Sequence, residues 1–336
     1  MAPSTAPAAQ TTDESAASAS ESGDTAPLVI YSGRNENLVG PLLEQFSTDT
    51  GIPVEVRYGG TAEMAVTILE EGENSPADIF FAQDAGALGE LAAAGRLAEL
   101  PADVLESVPA DLRSQDDNWV GISGRARVLA YNTAELEPAD LPADIWGLLD
   151  SQWSGRVGWA PTNGSFQAFV TALRVLEGED RAQEWLEGMI ANDVQVYNNN
   201  TSILAAVASG EVSVGLLNHY YLYRFLQEEG EEFGARNHYF TNPNAGSMIN
   251  IAGVGIVNTS ANTAAADEFV RYLLSPVAQQ YFLDETSEYA LIDADLTVPD
   301  HLIPLSEIPV PAGLDLSDLA DLQGTLNLLQ DVGALD

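Results

Sequence analysis

Apolar positions recur along this chain in two rhythms, one of period two and one of three to four. Leu28-Val29-Ile30-Tyr31 is a short apolar run closed by Ser32-Gly33, which reads as a strand. Leu38, Leu42, Leu43 and Phe46 then fall on one face of a helix that Gly51 ends. Val54, Val56 and Tyr58 alternate as a second strand, residues 62–71 predict a helix, and Ala77-Asp78-Ile79-Phe80-Phe81 predicts a third strand. This β-α-β-α-β order predicts a parallel sheet with right-handed crossovers.

The same rhythm returns further on. Arg156-Val157-Gly158-Trp159 reads as a strand, and Phe166, Phe169, Val170, Leu173 and Leu176 mark a helix. Ile203, Leu204 and Val207 mark another helix before a strand over Val212 to Leu217. Ile251 to Val257 reads as a buried strand and Ala265 to Leu274 as a helix. Ser275-Pro276 should end that helix and start the next, since proline fits a first helical turn. The pattern predicts two α/β units, one of residues 28–124 plus 251–303 and one of residues 125–250 plus 304–336. The chain would cross between them near Gly124 and Asn250. Ligands of open α/β sheets bind beyond the carboxyl ends of the strands. A cleft between the units would gather the loops Ser32 to Glu36, Ala82 to Asp84 and Ala160 to Ser165, with the segment after Leu217 as a fourth.

Composition narrows this picture. The 336 residues are 46% hydrophobic, enough for two cores, and carry 51 acidic against 12 basic residues, a net charge of −39. All the basic residues are arginine. A chain so acidic does not bind nucleic acid or anionic lipid through its bulk field, and it suits solubility at high salt. Against that background any arginine pair draws notice, and Arg125 and Arg127 lie two residues apart. There are no cysteines, which excludes thiolate sites and disulfides, and His219, His238 and His301 are not at zinc-ligand spacing. No apolar run is long enough to span a membrane. Residues 1–27 have linker composition, rich in Ala, Ser, Thr and acids. They read either as a tail of a cytoplasmic protein or as the tether of an exported, lipid-anchored one whose signal is replaced by Met1; the second reading is preferred.

Two segments carry candidate chemistry. Tyr220 and Tyr221 follow Asn218-His219 where a buried strand ends. At a helix start two neighbours converge on one point, and two phenols there offer hard oxygen donors to a highly charged cation. The plainer reading is one packed tyrosine and one half-exposed one. Pro161-Thr162-Asn163-Gly164-Ser165 lies between a strand and a helix, with Asn163 as N-cap. Its free N–H groups and the helix dipole form an anion site, or the segment is an ordinary cap. Asn198-Asn199-Asn200-Thr201 offers a second cluster of the same kind, and with Asn218 these segments would ring a small oxyanion.

In combination the motifs are specific: Tyr31-Ser32-Gly33-Arg34, Ser75-Pro76-Ala77-Asp78-Ile79-Phe80, Ser123-Gly124-Arg125-Ala126-Arg127-Val128, the run Gly158 to Phe166, and Asn218-His219-Tyr220-Tyr221. From about Leu28 onward the chain resembles the ferric-ion-binding proteins, solute receptors of iron ABC transporters with a transferrin-like, two-lobed periplasmic-binding fold. The resemblance implies an α/β fold, each lobe a mixed, mostly parallel sheet flanked by helices, with the ligand between the lobes. It implies that Tyr220 and Tyr221 bind Fe³⁺ as phenolates, with phosphate or carbonate completing the shell. The anion would be held by Asn163, Gly164, Ser165, Asn200 and Asn218, with Arg125 nearby. Relatives often have histidine where this chain has Asn35 and glutamate where it has Gln83; Glu36 and Asp84 are neighbouring substitutes. The implied role is capture of ferric iron outside the cytoplasm, as a monomer, for delivery to an iron-uptake ABC permease, without enzymatic activity.

Two other classes compete. A hydrolase would use Ser32, Ser123 or Ser165, but no Gly-x-Ser-x-Gly elbow is present. A receptor of the same fold for a phosphorus oxyanion, polyamine or thiamine would need no metal. A calcium loop of Asp-x-Asp-x-Asp-Gly type does not occur, and Asp116-Asp117 reads as solvated surface.

Overall fold

The structure, a computed structural model, describes Met1 and residues 26–292 and 294–335. The tether read over residues 1–27 therefore lies, but for Met1, Ala26 and Pro27, outside the described residues. Ten strands are present among the described residues: β1 (Leu28–Ser32), β2 (Val54–Tyr58), β3 (Ile79–Ala82), β4 (Val120–Asn132), β5 (Val157–Trp159), β6 (Gln195–Val196), β7 (Val214–Asn218), β8 (Ala235–His238), β9 (Ile249–Ile256) and β10 (Tyr289–Ala290). The helices are α1 (Glu36–Thr50), α2 (Thr61–Glu71), α3 (Ala85–Ala93), α4 (Ala102–Leu105), α5 (Gly164–Glu177), α6 (Glu179–Ala191), α7 (Asn200–Ser209), α8 (Tyr220–Glu229), α9 (Thr263–Leu273), α10 (Pro276–Tyr281) and α11 (Leu322–Asp331).

The periodic segments form the elements they predict, and local chemistry sets their ends. α1 buries Val39, Leu42, Leu43 and Phe46, and Gly51 closes it in the left-handed region at φ 73°, where a side chain is costly. The Ser275 side chain accepts from the Ala278 N–H to cap α10, with Pro276 at its first position. β1 pairs in parallel with β2 and β3, and β5 in parallel with β6 and β7. The inner strands β1, β3, β5 and β7 are near-continuously apolar, as strands covered on both faces are, whereas β2 and β6 at the two ends of the order keep polar, exposed positions.

Strand β4 was not legible as a unit. Its thirteen residues are all buried, yet they include Gly121, Ser123, Gly124, Arg125 and Arg127, which mask any alternation. It joins two sheets in the order β2-β1-β3-β9-β4-β7-β5-β6. Residues Val120 to Ala126 pair with β9, and residues Arg127 to Tyr131 pair with β7, both antiparallel. The strand thus passes from one sheet to the other between Ala126 and Arg127, with Arg125 opposite Asn250 and Arg127 opposite Asn218. The C-terminal segment touches both α3 and α5. Residues 316–320 press on α3 so closely that a Cβ at Gly86 would come within 2.7 Å of the Leu319 carbonyl oxygen. α11 packs on α5, where the Thr171 and Thr325 hydroxyls meet at 2.7 Å.

One ion pair sits deep beside the crossing. Arg34 and Glu288, with side chains both 0% exposed, form a two-pronged pair at 3.0 and 2.9 Å, and Ser123 Oγ donates to the same carboxylate. The guanidiniums of Arg34 and Arg125 outweigh burial and hold the Glu288 carboxyl below the usual range.

Candidate metal and anion site

The strands of each sheet end at one cleft, and the helices that follow begin there. The N-termini of α1, α2, α3, α5, α7 and α8 all contribute to its wall. Each brings unpaired N–H groups and the positive end of a helix dipole, so the cleft favours negative charge before any side chain is considered. Its volume is about 560 Å³. Gly33 makes the loop after β1 fit: a Cβ there would lie 2.3 Å from Thr61 Oγ1.

The tyrosine pair sits at the start of α8, immediately after β7. Their rings stack with centroids 4.5 Å apart and planes at 27°. Two adjacent residues thus face one point, as the helix start allows. Tyr220 is 4% exposed and Tyr221 half-buried. Burial first, then the neighbouring Tyr221 and Glu288, push the Tyr220 phenol up, with Arg125 opposing. Without a cation Tyr220 is a phenol. His219 fixes the helix start from behind. Its Nδ1 accepts from the Ala126 N–H at 3.2 Å, and its Nε2 donates to the Ser287 carbonyl at 2.7 Å. Burial lowers its pKa to about 4, so the ring is neutral.

The cradle expected for an oxyanion lies at the start of α5. Asn163 caps the helix, and its Oδ1 accepts from Ser165 N–H at 3.1 Å, Ser165 Oγ at 2.6 Å and Asn200 Nδ2 at 3.2 Å. Three donors from two helix starts therefore already converge on one oxygen. A Cβ at Gly164 would meet no atom within 4 Å, so the helix start is unobstructed there. Arg127, behind this turn, donates to the Ser165 carbonyl at 3.3 Å.

The opposite wall carries amides and carboxylates: Asn35 and Gln83, with Glu63, Asp84 and Glu90. Asn35 caps α1, its side chain accepting from the Asn37 N–H at 2.9 Å. Gln83 gives its carbonyl to the Arg125 guanidinium, which also donates to the Ile251 carbonyl at 2.9 Å. Asp84 caps α3; burial raises its carboxyl, and Arg125 pulls the other way. Asn35, Gln83, Asp84, Arg125, Asn163, Gly164, Ser165, Asn200, Asn218, Tyr220 and Tyr221 all line the cleft. Glu36 does not. It is the first residue of α1, about 100° around the helix from the cap, and it lies exposed where its charge acts on Tyr58. Arg224 lines the cleft and was not foreseen, although it falls three and four residues after the tyrosines on α8. Among the described residues no three His, Asp or Glu side chains gather as a metal cluster. Hard oxygen donors in the cleft are the two phenols and the separate carboxylates of Glu63, Asp84 and Glu90.

Residues 74–302 match the family described as bacterial extracellular solute-binding protein. The chain is 31% identical to the Fe(3+)-binding periplasmic protein of Serratia marcescens over 92% of its length and 90% of that protein. It is 30% identical to the major ferric iron-binding protein of Neisseria meningitidis, over 92% of this chain and 93% of the relative. Among solved structures, iron-bound HitA from Pseudomonas aeruginosa superposes with a TM-score of 0.84 at 35% identity, covering 91% of this chain and 99% of that one. A Trichodesmium protein in complex with iron and citrate superposes with a TM-score of 0.81 at 28% identity, again covering 91% and 99%. On the length and identity of these matches, the chain belongs to the bacterial extracellular solute-binding proteins.

Proposed function

We propose that this solute-binding protein captures Fe³⁺ outside the cytoplasm and delivers it to the ABC permease of an iron-uptake system. It acts as a receptor and not an enzyme. The carrying observation is the stacked Tyr220–Tyr221 pair at the same cleft as the Asn163–Ser165–Asn200 cradle. Relatives and structural neighbours named for ferric iron support the reading.

Iron is cargo here. The two phenols release their protons to solvent and bind the iron as phenolates, since a trication stabilises the anionic form. Phosphate or carbonate then sits at the start of α5, held by the N–H groups near Gly164, the Ser165 hydroxyl and the amides of Asn200 and Asn218. Arg125 supplies charge from the crossing strand. Asn35 and Gln83 contribute neutral oxygens at most, so the external anion carries a larger share of the binding. In the two-lobed reading of residues 28–124 plus 251–303 and 125–250 plus 304–336, the lobes close by flexing where β4 and β9 cross.

The test is spectroscopic. Protein stripped with a chelator and given ferric iron with phosphate or carbonate should develop a visible tyrosinate–iron charge-transfer band. No band, with tight binding of an organic cation or phosphorus oxyanion instead, would leave a metal-free receptor of the same fold.

A further inference from the structure

Arginine is scarce in this chain and acids are abundant, so an arginine without a carboxylate partner is conspicuous. Eight of the twelve arginines have a carboxylate within ion-pair distance. Of the four that lack one among the described residues, Arg125 and Arg224 line the cleft and Arg127 lies directly behind its cradle. Arg127 is the most deeply buried of the four. It is 2% exposed, and its Nε has no hydrogen-bond partner. Its Nη1 donates to the Ser165 carbonyl at 3.3 Å and reaches the Ser165 hydroxyl at 3.5 Å, and its Nη2 donates to the Leu216 carbonyl at 3.3 Å. Phe166 and Phe169 face the guanidinium with ring centroids at 5.5 and 5.0 Å. These contacts satisfy part of the hydrogen bonding and give some cation–π attraction, but they do not neutralise a full charge.

We infer that Arg127 is a positioning residue whose buried charge is held in reserve for the anion: it orients Ser165 and is neutralised by the oxyanion that the α5 cradle takes up. The inference rests on the anion role proposed for that cradle. Burial alone, with no opposing carboxylate, already pulls the guanidinium down to about 9. Such a group gains most when a negative charge arrives one residue away in a water-poor site. It selects for the charge of the anion as much as for its shape, because a neutral occupant would leave the guanidinium uncompensated.

A structural role predicts something different. If Arg127 only ties β4 to α5, removing it should loosen the fold. If it stores charge, replacing it with an apolar side chain should leave the metal-free protein as stable as before or more so, because buried charge without a partner costs stability. Three substitutions separate the two. Arg127→Met removes the charge and keeps the length, Arg127→Gln keeps a hydrogen-bond donor without charge, and Arg127→Lys keeps the charge without the fork. The readouts are thermal melting of the metal-free full chain, phosphate binding by equilibrium dialysis, and the phosphate concentration that half-saturates the tyrosinate–iron band. We expect Met and Gln to raise the half-saturating phosphate at least tenfold, the loss typical of a missing outer-sphere partner, with Lys within about threefold. The Met variant should melt no lower than the parent. Gln binding phosphate like the parent, or Lys failing as badly as Met, would overturn the inference. A parent protein with no iron band would instead sink the ferric reading, while the dialysis of phosphate would still decide the part played by Arg127.

Discussion

The two walls of the cleft are built by the same device and end in different chemistry. On each side, strands stop, helices start, and a side chain caps the first turn. On the α5–α8 side the caps are surrounded by further donors: Asn163 with Ser165 and Asn200, and the phenols of Tyr220 and Tyr221. On the α1–α3 side Asn35 and Asp84 spend their oxygens on their own helices, and Gln83 presents a neutral amide. The backbone therefore gives both walls a positive edge, but only one wall carries the phenol pair, while the ionisable side chains of the other are the carboxylates of Glu63, Asp84 and Glu90. Cleft geometry is a property of the fold, and the asymmetry of donors is a property of the sequence laid on it.

The largest expected effect comes from protons. Tyr220 is held protonated by burial, so ferric binding must release its proton. Each proton released makes affinity fall about tenfold per unit drop in pH, so the loss of two would cost about 10⁴ from pH 8 to pH 6. Titration against a competing chelator at several pH values checks this. With Tyr221→Phe the slope should drop by about one proton. An unchanged slope would mean that the protons come from the other wall.

Removing one phenolate comes next. Tyr220→Phe or Tyr221→Phe should each weaken ferric affinity on the order of a hundredfold or more, beyond what loss of an outer-sphere partner costs. Competition titration at fixed pH reads it, and a variant that binds as tightly as the parent would break the assignment of that wall.

The cradle should have a smaller effect, visible only through the anion. Ser165→Ala with Asn200→Ala removes two donors that converge on one point, and should raise the phosphate or carbonate needed for the iron band by roughly tenfold. With no anion present, the double variant and the parent should behave alike.

Least of all should come from the α1–α3 wall. Asn35→Ala and Gln83→Ala should change ferric affinity by no more than about threefold, because a neutral amide adds little to a trication. Asn35→His with Gln83→Glu sharpens the comparison, since it gives this wall an imidazole and a carboxylate. It should raise affinity and reduce the dependence on phosphate.

Much of this was legible in the sequence for identifiable reasons. Tyr220 and Tyr221 are adjacent, so their convergence needed only a helix start after β7. Asn163-Gly164-Ser165 combined a cap with an unobstructed backbone, and the cap is formed. Glu36 was read as a substitute ligand because loops allow a one-residue step, but α1 begins at that residue and turns its side chain away from the cleft. Nothing in the sequence marks Arg224, because its place at the cleft depends on the register of α8, one turn beyond the tyrosines. β4 escaped because its buried polar residues belong to the crossing and hide the apolar period. The buried Arg34–Glu288 pair joins residues 254 positions apart, and nothing local marks either partner.

The crossing strand has a mechanical consequence. Because β4 is hydrogen-bonded along its length, to β9 before Arg127 and to β7 after it, no slack loop lies between the two sheets at that point. A change in the angle between them must be stored as twist in the ribbon, as in a leaf spring. The restoring torque then grows with the angle, and a bound ion has to work against it. Packing is tight two residues before the crossing, where a Cβ at Gly124 would come within 3.1 Å of the Leu291 side chain and 3.3 Å of Tyr289 Cβ. A methyl group added at Gly124 would preload the spring without touching a single ligand.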